Sequence, residues 1–328
     1  LRKILLHIGR HKTGTTAIQQ FLGDNRGALL RAGYFVPLAG RVNAGHHGFA
    51  QPFVKGRLQE TLRNGQLGEL PAFRQLREEL TDVPESHTVV ISSEALQNCR
   101  PEAVRRAFEG YDARVVVYLR NQLEYLATAY VQRIHATTYA GSIDDYYRDV
   151  YQGSSNYFAF LKNWTQAFPD AVTVRRYASG AAVEDFCEHV LDIDHDDYAR
   201  RSGDSNPSLN ARLAVFKRKF NERELSRTEP STEPTANKMY FALPRLNSNF
   251  PAKKYAVPPH IAADLLKRCL STDAKTARQY FAEEVLFDYD GYESTEEPVV
   301  SDADYEIIYG CLLDEVAKAS AEKSAAKR

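Results

Sequence analysis

No stretch of this chain approaches the roughly 18 consecutive apolar residues that a membrane-spanning helix needs, and no apolar segment with a cleavage site opens it. Position 1 is Leu1 rather than methionine, which leaves a leader or anchor ahead of it an open question. Cysteine is sparse: Cys99, Cys187, Cys269 and Cys311 stand far apart, without C-x-x-C or any other metal-ligand spacing. That argues against a zinc site and a disulfide framework, and it fits free thiols in a reducing, cytoplasmic compartment. Charge of one sign is also missing. Lys and Arg total 42 against 43 acidic residues, so no global positive field advertises nucleic acid, and any anion site must be assembled locally. The basic end from Lys318 to Arg328 reads as a solvated helix tail.

At 328 residues the chain can bury about three quarters of its unfolded surface and hold a deep site. Short apolar runs read as strands at Lys3–Ile8, Gly33–Pro37, Thr88–Ile91, Arg114–Leu119 and Ala171–Tyr177, with amphipathic helical patterns between them. Strands alternating with helices at these lengths predict an α/β fold of three layers about a parallel sheet of about five strands, which the loop described below makes one of the P-loop type. Past residue 180 the strand signal fades. Helical patterns take over, interrupted by an irregular stretch from Glu224 to Pro259. The expectation is one domain over 1–328, with an α/β core over 1–200 and a helical extension over 201–328 that contains the irregular stretch 224–259. The loop and the resemblance described below imply that the core binds a nucleotide and that the irregular stretch covers an acceptor site.

One motif carries chemistry. "GRHKTGTT", Gly9 to Thr16, follows the first strand and opens a helix, the context of a phosphate-binding loop. Triphosphate loops read G-x-x-x-x-G-K-[ST], with the lysine on the β/γ-phosphates and the hydroxyl on magnesium. Here Thr15 follows Gly14 and the lysine sits inside the loop as Lys12. No Walker-B acid is evident either: Ile91 is followed by Ser92-Ser93-Glu94 and Leu119 by Arg120. A mid-loop lysine would lie beside a single 5′-phosphate and meet charge developing on the oxygen that links it to a departing group.

The loop resembles the 5′-phosphosulfate loop of the sulfotransferases that use 3′-phosphoadenosine 5′-phosphosulfate (PAPS). A second element strengthens the resemblance. In "VVVYLRNQLEYLATAYVQ", Arg120 ends a strand and Thr128 lies eight residues on, where the family keeps an arginine and a hydroxyl residue for the 3′-phosphate. Thr128 replaces the commoner serine, and Gln122 stands where a proline is customary. The resemblance spans about residues 1–200 in element order, and "ARQYFAEEVLF", Ala277–Phe287, looks like bacterial carbohydrate-type members. It implies that Arg10, His11, Lys12, Thr13, Gly14, Thr15 and Thr16 bind the 5′-phosphosulfate, and that Arg120 and Thr128 bind the 3′-phosphate. Asn206 and Ser208, in an N-x-S-L segment, would close over the nucleotide, with Arg200 and Arg201 adding charge. It further implies PAPS as donor, 3′,5′-ADP as product, no required metal and a cytoplasmic bacterial setting.

The acceptor hydroxyl needs a base. Glu94 follows the third strand at the carboxyl edge, where parallel sheets bind ligands, and ranks first. His47, in "NAGHHGF", ranks second, since an imidazole titrates near neutrality, and its neighbour His46 shares the same candidate acceptor-binding region. A helix-capping acid at Glu94 and loop histidines bonded to carbonyls account for the same letters. Tyr139, Tyr146, Tyr147, Tyr151 and Tyr157, with Tyr240, Phe241 and Phe250, supply rings for stacking on sugars or for a core. The acceptor expected first is a hydroxyl of a glycan or glycolipid. A P-loop nucleotide kinase and a non-catalytic module that binds 3′,5′-ADP are the alternatives.

Overall fold

The computed structural model describes residues 1–54, 70–151, 156–199, 208–226 and 236–325; Asn206, Arg200 and Arg201 lie outside them. Two compact units divide the chain: Leu1–Arg120 with Tyr157–Gly203, and Asn121–Asn156 with Asp204–Arg328.

The first unit holds the sheet. Strands β1 (Arg2–His7), β2 (Tyr34–Phe35), β3 (Thr88–Ser92), β4 (Tyr111–Leu119) and β5 (Val172–Arg176) align in the order β2-β3-β1-β4-β5. Every pairing is parallel, so the predicted α/β architecture and its five strands are observed. In β1 the successive residues Ile4, Leu5 and Leu6 are all buried, although alternate side chains point to opposite faces, so both faces of the sheet are covered. On one face Leu5, Val90 and Val116 pack with Ile18, Phe21 and Leu22 of the first helix, α1 (Thr15–Asp24). From β1 the chain skips to the edge strand β2, returns to β3 beside β1, and then crosses β1 to β4 and β5 on the other side. The order therefore reverses between β1 and β4, and their carboxyl ends are where an open α/β sheet forms its ligand crevice.

The second unit is helical. Leu123, Leu126, Tyr130 and Ile134 line the buried side of the Gln122–Ala136 helix and share a core with Leu213 and Phe216 of the Ala211–Leu225 helix. That shared core draws Asn121–Asn156 into the helical unit, where a linear division at residue 200 leaves it with the sheet. The stretch from Glu224 to Pro259 is also more regular than its composition suggests. A helix covers Ala236–Ala242 and a 3-10 turn Leu243–Asn247. Met239, Ala242, Leu243 and Leu246 are buried at a helical spacing that Pro244 obscures in the sequence. Tyr146, Tyr147 and Tyr151 are buried in this core, and Tyr157 is buried in the first unit, so these rings pack rather than face solvent. No described helix is long and apolar enough to cross a membrane.

Candidate functional site

The glycine loop leaves β1 at Ile8, whose N–H donates to the carbonyl of Val116 in β4 at 3.0 Å, and it turns into α1 at Gly14. Three residues adopt left-handed backbone angles: Gly9 (φ +50), Lys12 (φ +66) and Gly14 (φ +74). Glycine accepts this freely, but a lysine there is strained by about 1–2 kcal/mol. The loop braces itself from within. The Thr13 hydroxyl donates to the Arg10 carbonyl at 2.6 Å and accepts from the Arg10 N–H at 3.3 Å, and the Thr15 hydroxyl donates to the same carbonyl at 3.3 Å. Both hydroxyls are thus engaged in holding the loop. The first intrahelical bond of α1 runs from Ile18 N–H to Gly14 C=O, so the N–H groups of Thr15, Thr16 and Ala17 have no partner within the helix. They and the helix dipole make this end favourable for an anion.

Arg120, on leaving β4, turns its guanidinium to the loop: Nη1 donates to the Lys12 carbonyl at 2.8 Å, and the guanidinium carbon lies 5.0 Å from the centre of the Tyr177 ring. The Arg120 carbonyl accepts from the Tyr157 hydroxyl at 2.7 Å. Tyr157 and Phe160 each place a ring centre 4.9 Å from the buried Arg10 guanidinium. Tyr157 therefore ties both arginines to one ring. Burial, with the Arg120 charge second, lowers the Lys12 ammonium from its ordinary value to about 8. His11 and Thr16 are exposed on the loop.

Glu94 opens the 3-10 turn that follows β3. Its Oε2 accepts from Gln19 Nε2 of α1 at 2.7 Å, and its Oε1 lies 3.9 Å from His47 Nε2. His47 Nδ1 shares a 2.9 Å hydrogen bond with Ser93 Oγ, and the side chains of His47 and Glu94 are both 24% exposed. The two candidates for the base thus stand side by side. His46 is buried with both ring nitrogens occupied: Ser92 N–H donates to Nδ1 at 3.1 Å, and Nε2–H donates to the Pro37 carbonyl at 3.0 Å. Burial lowers it to about 4, so it is a neutral pin that anchors the loop carrying His47 to the end of β3. His7, at the end of β1, is likewise buried and lowered by that burial to about 4, with Nδ1 2.8 Å from Ser92 Oγ.

Thr128 belongs to the second unit, where its hydroxyl donates to the Glu124 carbonyl one turn back at 2.6 Å. Asn121 caps that helix, accepting from the N–H groups of Leu123 and Glu124. Ser208 is exposed.

Gln19, Ser93, Gly45 and Tyr177 surround the candidate site, and sequence reasoning passed over them. A buried glutamine on the apolar side of α1 was the available signal for Gln19, because a buried amide requires partners. Gly45 shows its role only in three dimensions: a Cβ added there would lie 2.7 Å from His47 Nε2 and 2.8 Å from Gln19 Nε2.

Compared with known proteins, the chain matches no family model and no curated protein. Among solved structures it is similar to a sulfotransferase from Alicyclobacillus acidocaldarius. The two share 17% sequence identity over 63% of this chain and 87% of that chain, with a TM-score of 0.41.

Proposed function

We propose that the protein is a sulfotransferase that moves a sulfuryl group from PAPS to a hydroxyl of a carbohydrate. The reading rests on the loop motif and its resemblance, and the observation that carries it is the 2.8 Å bond from Arg120 to the Lys12 carbonyl. Two cationic residues more than a hundred positions apart meet at the strand reversal between β1 and β4. The donor set suits a doubly phosphorylated adenosine: backbone N–H groups, one ammonium and one guanidinium, with no carboxylate in the loop. A guanidinium fork matches the oxygens of a terminal phosphate.

PAPS supplies an activated sulfuryl group. Sulfuryl transfer resembles phosphoryl transfer in passing through a loose in-line transition state, so positioning and charge stabilisation dominate. The N–H groups at the start of α1 hold the 5′-phosphate, with Arg10, His11, Thr13, Gly14, Thr15 and Thr16 shaping the loop. Lys12 stabilises the bridging oxygen as it departs. Arg120 binds the 3′-phosphate. Glu94 or His47 takes the acceptor proton, and a glycan or glycolipid head group supplies the hydroxyl.

The test is transfer of labelled sulfate from PAPS to a panel of glycans and peptides, in EDTA. Transfer to glycans is expected, with Lys12→Ala lower in kcat by at least about 10²-fold. Arg120→Ala is expected to lose tight, magnesium-independent binding of 3′,5′-ADP. Magnesium-dependent ATP binding with no transfer would overturn the reading in favour of a nucleotide kinase.

A further inference from the structure

The contacts around Glu94 assign separate tasks to its two oxygens. Gln19 sits on α1, one turn beyond Thr15 at the helix start, and is almost wholly buried. Its Nε2 faces two acceptors, Glu94 Oε2 at 2.7 Å and the Ser92 carbonyl at 3.5 Å, so the amide must point its nitrogen toward β3. Gln19 and His47 both pack close over Gly45, where an added Cβ would lie 2.8 Å from the Gln19 Nε2 and 2.7 Å from the His47 Nε2. With Oε2 taken by Gln19, Oε1 is the oxygen turned toward His47 Nε2, 3.9 Å away. His47 is in turn oriented by Ser93 through its other nitrogen.

We propose that Gln19 is a positioning residue, which holds Glu94 by Oε2 so that Oε1 is the atom that receives the acceptor proton. This rests on the sulfuryl-transfer reading above. In that step the acceptor oxygen bonds to sulfur as the bond from sulfur to the bridging oxygen breaks. The bridging oxygen keeps the electron pair beside Lys12, and the hydroxyl proton passes to Oε1, leaving to solvent after product departs. The helix whose first N–H groups would face the 5′-phosphate thereby also orients the base, through Gln19. His47 flanks the transfer and is not its proton acceptor.

Gln19→Met keeps length and burial and removes the donor. A donor to a charged carboxylate is worth enough that kcat should fall about 10- to 100-fold. The Kd for 3′,5′-ADP and the Tm should stay close to those of the parent. A structural lesion would multiply with any other change, whereas a residue acting through Glu94 would not. In a Glu94→Gln background, Gln19→Met should therefore change kcat by less than about twofold. Gln19→Leu, which also removes the donor and leaves His47 untouched, should reproduce the kcat loss and serves as the second variant. Full multiplicativity of the two substitutions in a parent that transfers sulfate overturns the role of Gln19 alone. A parent that transfers no sulfate to any acceptor overturns the reading and this role together. His47→Ala falling further than Glu94→Gln would move the proton to the imidazole and also overturn the assignment.

Discussion

Lys12 carries two costs in a single residue: a left-handed backbone and an ammonium drawn partly out of water beside Arg120. Neither helps the fold, and both are explained if the position is fixed by what it must touch. The lowered ammonium gives a pH dependence whose sign follows directly. Below about 8 the side chain is charged before any anion arrives; above it, the charge must be restored when the anion binds. Affinity for 3′,5′-ADP should be level from about pH 7, where the phosphates are fully ionised, up to that value and weaken steadily above it, with net proton uptake on binding. Calorimetry in two buffers of different ionisation heat measures that uptake. Lys12→Arg, whose guanidinium stays charged, should flatten the profile. At this scale Lys12 and Arg120 were legible because each sits in a short local motif. Gln19 was not, since its partner Glu94 lies 75 positions away and only the β1–β3 pairing brings them together.

At the scale of elements, the strands were readable because β-branched runs such as Val115-Val116-Val117 are buried on both faces and interrupted by helices. The extent of the Pro259–Phe281 helix was not, because its buried side continues through the polar residues Asp273 and Thr276. Asp273 accepts from Gln122 and from Tyr289, so a polar network extends the buried side where apolar periodicity stops. The join of β1, loop and α1 is the element on which the site depends, and Gly14 is its tightest point. A Cβ at Gly14 would lie 2.5 Å from the Ala182 Cβ and 3.1 Å from the Tyr177 ring, on a backbone at φ +74. Overpacking and left-handed strain together should make Gly14→Ala less stable by about 2–4 kcal/mol. The midpoint of a urea transition reads this, and 3′,5′-ADP binding should be lost with it. A variant of parental stability would show that Tyr177 and Ala182 yield readily.

Across the whole molecule, the formal charge is −1, yet Arg10, Lys12 and Arg120 gather around one loop of the sheet-bearing unit. The sequence predicted this contrast, because balanced composition left local assembly as the only route to an anion site. The grouping of Asn121–Asn156 with the C-terminal helices escaped it, since nothing local marks which of two cores a helix joins. The contrast has a measurable consequence. A protein that draws anions by a distributed positive field loses affinity steeply as salt shortens the Debye length from about 10 Å at 0.1 M to about 3 Å at 1 M. On the proposed reading, attraction comes from groups that touch the nucleotide directly and are partly shielded from water, where screening is weaker. The Kd for 3′,5′-ADP should therefore rise by less than about tenfold between 0.1 and 1 M NaCl, and association should be slower than for electrostatically steered ligands. Stopped-flow binding across that salt range separates the two rate constants, and a loss of a hundredfold carried by the association rate would show that a long-range field, not the loop, gathers the nucleotide.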